Sequence, residues 1–440
     1  MTSPAYAHHF SIKNLPYGVA SSPTHAEQCA SRLHNTVIFL GELQKSGFFG
    51  EISFLPDGVF MNANLNAYAA LPKSVHTAIR AKLQSVLGES GLDVLPENSR
   101  ADITTVKMHL PVEISGFTDF SNSLNHVQNA GRAILNDPSP PPGFFHFPIG
   151  YTGRASTVVV SGTPICRPCG HFYDRSNPVP KTVVYRPSRA LDYEMELGVV
   201  VGRPFRWGSA KGVPATEAEE YIFGFVVLND WSARDIQGLE MVPLGPLNGK
   251  AFGTTISPWI VTTDALAPFK VAGPEPRVEL AEHLKDEKDG NYDIVMKVEI
   301  IHPCTDPSTA SAATNGNESA GKNSGGKSVS HIATSAAKEL FWSHRQMVAH
   351  LTSCGSDLRT GDLLGTGTVS GPVEGSYGCL LESTKGGKQV ITLADGGERV
   401  YLLDGDIVRM SASLGDEASG VGFGECTGEI MPAKYPAVSS

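Results

Sequence analysis

Apolar residues along the chain fall into short runs and alternations far more often than into helical stripes. Leu191-Asp-Tyr-Glu-Met-Glu-Leu-Gly-Val-Val-Val201 and Tyr221 to Leu228 have the length and apolar character of buried strands. Further strands are predicted at Thr36 to Leu40, Ile52 to Leu55, Thr157 to Val160, Thr182 to Tyr185, Trp259 to Thr262 and Ile294 to Ile301. Helical spacing is rarer. Val75, Ile79, Leu83 and Val86 predict an amphipathic helix over Val75 to Leu87, and Leu340, Met347, Val348 and Leu351 predict another over Ala336 to Leu351. His344 and His350 fall in that second helix and read as surface residues, or as residues standing behind a ligand. Leu393-Ala-Asp-Gly-Gly397 and Leu403-Asp-Gly-Asp406 are hairpin signals in a β-rich last hundred residues. The fold class is therefore mostly β (α+β). A first unit covers residues 1–110, with a junction near His109-Leu-Pro111. A larger β unit covers 111–440. Residues 303–330 are rich in Ser, Ala, Gly, Asn and Thr without apolar period, and read as a flexible surface insertion.

Composition narrows the class. With 41% hydrophobic and 18% charged residues the chain is globular, and its net charge of -10 disfavours nucleic acid and anionic membranes as partners. An anionic small molecule stays compatible, because a bound metal reverses the local sign. Seven scattered cysteines, with no basic-then-apolar leader, predict reduced thiols in the cytoplasm. Cys166-Arg-Pro-Cys169 has CxxC spacing but no second pair, so core or chance cysteines are the expected reading. No run of about 18 apolar residues is present to cross a membrane.

The stretch from Phe223 to Trp259 concentrates the chemistry. A buried strand runs into Asp230, Arg234, Asp235, Gln237 and Lys250, spaced by Gly and Pro. Trp231, Leu239, Met241, Val242, Leu244, Leu247 and Phe252 run through the same loop, so it is expected to be packed and its charges paired. Glu194 and Glu196 stand two apart in a buried strand and share a face. Carboxylates so placed need a positive charge between them. With Asp230 and Asp119, which sits in Phe117-Thr-Asp-Phe120, they form four carboxylates in apolar frames. Those fit either a hard divalent cation, Mg²⁺ or Ca²⁺, or separate salt bridges. His126 follows Asp119 by seven residues and could serve as a base, but nothing distinguishes it among 14 histidines. Glu382 lies in a comparable apolar frame with no local link to it. Lys250, in a tight loop, could stabilise an oxyanion. Asn248-Gly-Lys250 lacks the pattern of a phosphate-cradling loop.

Taken together the segments have a family likeness. Asn14-Leu-Pro-Tyr-Gly-Val19, Phe117-Thr-Asp-Phe120, Pro148-Ile-Gly-Tyr-Thr-Gly-Arg-Ala-Ser156, Glu194-Met-Glu196, Asn229-Asp-Trp-Ser-Ala-Arg-Asp-Ile-Gln237, Gly249-Lys250 and Phe252-Gly-Thr-Thr-Ile-Ser-Pro-Trp259 occur in order. So do Leu358-Arg-Thr-Gly-Asp-Leu-Leu364 and Gly367-Thr-Val-Ser-Gly371. The chain resembles the fumarylacetoacetate hydrolase family over nearly its whole length. The resemblance implies an N-terminal SH3-like barrel, a C-terminal domain of mixed β-sandwich and roll type, and a homodimer. It implies Ca²⁺ or Mg²⁺ at Asp119, Glu194, Glu196 and Asp230, with a second ion beside Asp230, Lys250 and Thr254. It makes His126 the general base oriented by Glu382, and sets Arg234, Gln237 and Lys250 around the oxyanion. Tyr151, Gln237 and Thr368 become substrate contacts. The implied reaction is hydrolysis of a C–C bond in a β-diketo acid, with fumarate and acetoacetate as products. Three recognition positions depart from the family's residues: Ser121, Leu135 and Met241. These leave open a different acylpyruvate or β-diketone substrate. Decarboxylation or tautomerisation of a related oxo acid, and a non-catalytic scaffold, are further alternatives.

Overall fold

The computed structural model describes residues 4–174, 180–209, 211–286, 289–304 and 326–434. Its middle layer is an eight-stranded sheet. From one edge the order is Gly150–Thr152, Phe117–Phe120, Leu363–Gly365, Met195–Val201, Ile222–Asp230, Thr254–Ile256 and Val158–Val160, with Val261–Thr262 pairing beside Ile222–Asp230. The two central strands run antiparallel, Glu196 opposite Leu228 and Val199 opposite Phe225. Every residue of both is buried.

Period-two alternation explains why both faces of this sheet are apolar. Leu197, Val199, Val201, Phe225 and Val227 point into one core, whose far wall is a five-stranded sheet containing Ile294–Pro303, Lys327–Ala336, Ile407–Leu414 and Gly422–Met431. Val200, Phe223, Val226 and Leu228 point the other way, onto the N-terminal residues Tyr17, Phe60, Tyr68 and Ile79. That N-terminal part carries its own five-stranded antiparallel sheet, ordered Arg100–Asp102, Thr36–Phe39, His25–Leu33, Tyr17–Ser22 and Lys107–His109. The helix Lys73–Ser90 buries Val75, Ile79 and Leu83 against it, as their spacing predicts.

Several expected elements differ. Ile52 to Leu55 is turn, not strand: Phe54 takes a φ of 63° and is 87% exposed. Leu191 to Val201 is two strands, Leu191–Asp192 and Met195–Val201. The stripe from Ala336 to Leu351 splits into one 3₁₀ turn, Ala337–Glu339, and a helix, His344–Thr352. Ser343 starts the helix through a capping box with Gln346. His344 is no surface residue. It is buried, stacked on Tyr292 with ring centroids 5.1 Å apart and edge-on to Phe225. The first hairpin signal holds, since Ile391–Thr392 pairs with Glu398–Arg399. Leu403 to Asp406 is a turn without a hairpin, because Ile407–Leu414 pairs with Ile294–Pro303 and Gly422–Met431 instead. Most of the Ser-rich insertion lies outside the described residues. Its last four, Lys327 to Ser330, belong to a strand paired with Ile294–Pro303.

Candidate active site

The site forms at one end of four consecutive strands of the middle sheet, those of Asp119, Gly365, Glu196 and Asp230. Asp119 lies opposite Tyr151 on one side and Gly365 on the other. Glu196 is the second residue of the next strand, and Asp230 ends the one after it, opposite Thr254. This register brings carboxylate oxygens of Asp119, Glu194, Glu196 and Asp230 within 4.8 Å of one another, all four residues buried. Glu194 and Glu196 share a face, as the alternation predicts.

Two cations reach the cluster. Lys250 Nζ donates to Glu194 Oε2 and, at 2.6 Å, to Asp230 Oδ2. Arg234 donates to Glu194 Oε1 at 2.7 Å, to Gln237 Oε1 at 3.2 Å and to Asp192 Oδ2 at 2.8 Å. Tyr151 and Thr254 each give a hydroxyl hydrogen bond to Asp230, at 2.9 and 3.0 Å. Lys250 is held protonated: burial works against the charge, and Asp230 and Glu194 outweigh it. Its protonated amine has no free lone pair, so the Lys250 side chain is not itself a metal ligand.

The four carboxylates fit a hard divalent cation by three observations. Asp119 Oδ1 and Glu196 Oε1 are buried and have no hydrogen-bond partner among the described residues. Burial, and then the charge of Asp230, pushes Asp119 up to about 8, and burial with Asp119 and Asp230 drives Glu196 well above the usual carboxylate range. Gly365 leaves the required space, since a Cβ there would stand 2.8 Å from Asp119 Oδ1 and 2.9 Å from Glu196 Oε2. An all-oxygen set short of positive charge suits Mg²⁺ or Ca²⁺ better than a soft metal.

Beside this cluster lies a second constellation. His126, in the first turn of the helix Leu124–Leu135, places Nδ1 2.9 Å from Glu382 Oε2. Glu382 is fully engaged. Ser370 Oγ donates to Oε2 at 2.7 Å, Cys379 Sγ lies 3.2 Å from the same oxygen, and Asn129 Nδ2 donates to Oε1 at 3.0 Å. Burial would lower the His126 pKa, but Glu382 overrides it and the net shift is upward. Asp192 ties the halves together: it pairs with Arg234 and accepts the N–H groups of Leu380 and Leu381, in the helix that carries Glu382.

Sequence comparison now settles the family. The model described as fumarylacetoacetase N-terminal matches residues 13–111, and the one described as fumarylacetoacetate hydrolase C-terminal matches residues 115–430. The chain belongs to the fumarylacetoacetase family. It is 41% identical to the fumarylacetoacetase of Aspergillus fumigatus over 440 aligned positions, covering 96% of each chain. It is 38% identical to that of Arabidopsis thaliana, covering 97% of this chain and 96% of the relative. Among solved structures, a fumarylacetoacetate hydrolase from Exiguobacterium antarcticum shares the fold, with a TM-score of 0.50 at 15% identity over 95% of this chain and 99% of that one.

The fumarylacetoacetase motif residues sort clearly. Asp119, Glu194, Glu196, Asp230, Lys250, Thr254, Tyr151, Arg234 and Gln237 are joined in one network, with His126 and Glu382 beside it. Thr368 is buried with Oγ1 unpartnered among the described residues, one residue after Gly367, whose N–H binds Glu196. Ser121 is half-buried and donates its N–H to Ile149. Leu135 and Met241 stand apart. Leu135 ends one helix and Met241 directly follows another, and the first turns of these helices carry His126 and Arg234, about 13 and 10 Å back along the axis at the helical rise. Leu135 is 75% and Met241 49% exposed. The loop around Met241 is also not packed as expected. Trp231 and Lys250 anchor its ends, while Val242 and Leu244 project, Leu244 being 96% exposed, because none of the described residues covers them. Asp192 was missed from the sequence, although it continues the alternation of Glu194 and Glu196. Asn129, Ser370 and Cys379 carry no sequence signal linking them to Glu382; only folding brings them there.

Proposed function

We propose that this chain hydrolyses 4-fumarylacetoacetate with water to fumarate and acetoacetate, the last step of tyrosine and phenylalanine degradation. Full-length likeness to fumarylacetoacetases supports the substrate class. The observation that carries the chemistry is the His126–Glu382 pair standing beside four buried carboxylates.

Asp119, Glu194, Glu196 and Asp230 would hold Mg²⁺ or Ca²⁺, which when bound supplies Lewis-acid charge to the oxygens of a β-dicarbonyl. The chain's own groups do the rest. Glu382, an acceptor, fixes the hydrogen on His126 Nδ1 and leaves Nε2 as the base that takes a proton from water. The resulting hydroxide adds to the substrate carbonyl. Lys250, Arg234 and Gln237 are the donors placed for the developing alkoxide. The C–C bond then breaks, its electron pair leaving as an enolate, and the imidazolium returns its proton to the leaving carbon. Tyr151 and Thr368 supply hydroxyls for substrate oxygens. Glu382 favours hydrolysis over decarboxylation, since a decarboxylase needs no water-activating base. Ser121, Leu135 and Met241 belong to substrate recognition, the last two at the periphery.

The division of labour assigns residues 1–110 to a supporting barrel and 111–440 to catalysis. The working form is a homodimer in the cytoplasm, a reading supported by exposed Val242 and Leu244 and by cysteines that are all unpaired. No helix among the described residues is long and apolar enough to cross a membrane. Incubation of the protein and fumarylacetoacetate with Mg²⁺ or Ca²⁺, products read by mass spectrometry, tests the proposal. Fumarate and acetoacetate formed only in the metal-loaded sample are expected. Carbon dioxide release, or turnover confined to neutral β-diketones, would overturn it.

A further inference from the structure

His126, Cys379 and Glu382 present a second kind of donor set. One imidazole nitrogen, one thiol sulfur and one carboxylate oxygen lie within 4.8 Å of one another. Cys379 and Glu382 are three residues apart, the first capping the short helix Leu380–Ser383 and the second inside it. His126 comes from a different helix and completes the triangle, 2.9 Å from Glu382 Oε2, while Cys379 Sγ is 3.2 Å from that oxygen. These are hydrogen-bond separations, a few tenths of an ångström shorter than the roughly 3.4–3.6 Å between neighbouring ligands of a tetrahedral zinc ion, so a small spreading of the three side chains admits the ion. Cys379 and Glu382 are buried, and the His126 side chain is 15% exposed, so the triangle opens toward solvent on its imidazole side.

We propose that these three residues form a soft-metal site, selective for Zn²⁺, whose occupation switches the enzyme off. The donor chemistry separates it from the four-carboxylate cluster. Nitrogen and sulfur prefer Zn²⁺, whereas an all-oxygen set prefers Mg²⁺ or Ca²⁺. Binding releases the thiol proton of Cys379 to solvent, the His126 proton passes from Nδ1 to Nε2 so that a neutral imidazole coordinates through Nδ1, and Glu382 enters as carboxylate. Two negative ligands then match the dication. Without an ion, burial keeps the Cys379 thiol protonated by pushing it well above its ordinary range. The direct metal bond overcomes that cost. Occupation removes the Glu382 hydrogen bond that orients His126. The inhibition therefore rests on His126 being the base, while the coordination does not.

The test uses the Mg²⁺-loaded full chain with one equivalent of Zn²⁺. X-ray absorption at the zinc edge is expected to show one sulfur with nitrogen and oxygen neighbours. A two-sulfur shell, as Cys166 and Cys169 would give, or a sulfur-free shell, as the carboxylate cluster would give, overturns the site. In parallel, Zn²⁺ is expected to inhibit turnover in a manner that saturating Mg²⁺ does not relieve. Cys379→Ser, referred to its own zinc-free rate, should raise the half-inhibitory concentration at least about tenfold. Inhibition abolished by Mg²⁺, or unchanged in Cys379→Ser, overturns the proposal. A one-sulfur shell without inhibition upholds the site and removes His126 from the role of base.

Discussion

Glu194 and Glu196 are two residues apart on one face, yet their surroundings push them in opposite directions. Burial alone would raise both. For Glu194, Lys250 and Arg234 outweigh burial and hold the carboxyl at about 2, whereas Glu196 faces Asp119 and Asp230 and is driven upward. This asymmetry gives the site two carboxylates already paired with Lys250, Glu194 and Asp230, and two, Asp119 and Glu196, without a basic side chain against them. At the same scale, His126→Ala removes the base and leaves the carboxylates. Turnover is expected to fall by about 10²–10⁴ in kcat, with Mg²⁺ or Ca²⁺ affinity by calorimetry unchanged; retained turnover would show that another group activates water. His344 offers a pH-dependent test away from the site. Burial, then Arg345, lowers its pKa from the ordinary 6.5 to about 3, and its Nε2 has no partner among the described residues. The unfolded chain therefore binds a proton that the native one refuses between those values. Stability is fully present above about 6.5 and is lost as pH falls, at up to ~1.4 kcal/mol per pH unit. Urea titrations at pH 7 and pH 5 should show a smaller loss for His344→Phe than for the wild type. Equal losses would mean that His344 protonates without cost.

At the scale of elements, the site depends on how strands are paired. Asp119 and Gly365 are register partners in parallel strands, and Gly365 also faces Gly198. The pairing brings the Asp119 and Glu196 carboxylates over a residue that has no side chain. Gly365→Ala places a methyl group at 2.8–2.9 Å from both oxygens. The strand keeps an ordinary extended backbone, so the damage falls on the ligands. Metal affinity is expected to drop by roughly 10–100-fold with the far-UV circular dichroism unchanged. Undiminished affinity would show that the carboxylates can move aside. The helix Arg234–Glu240 is fixed by a related close approach: a Cβ on Gly249 would stand 2.6 Å from the N–H nitrogen of Gln237. That approach leaves no room for a side chain at position 249.

Across the whole molecule, the middle sheet is shared by two cores, and the site sits where its strands emerge from them. Charge buried at that junction weakens the fold unless it is compensated. Loading the metal should therefore stabilise the entire chain by about 2.7 kcal/mol at a hundredfold excess over Kd. Removing it with a chelator should lower Tm by a few degrees, measured by scanning calorimetry with and without restored Mg²⁺. No change would place the ion outside the buried cluster.

Much of this was legible from residues alone. Period-two alternation marks the buried strands Met195–Val201 and Ile222–Asp230 and puts Glu194 and Glu196 on one face, because strand geometry is local. The ordered motifs fix the family and the reaction class. Where local signals are short or ambiguous, the reading fails: four apolar residues at Ile52 to Leu55 do not make a strand, and a helical stripe does not show that Ser343 delays the start. Contacts across tens to hundreds of positions are beyond any local pattern. His126 meets Glu382 across 256 residues and Lys250 meets Glu194 across 56. Whether Leu244 is packed or exposed is also not a property of its own segment. The sequence by itself determined which side chains can do this chemistry and which backbone carries them. Only the tertiary structure decided which of them share a low-dielectric space, and there proximity sets charge, proton position and the kind of metal each cluster can take.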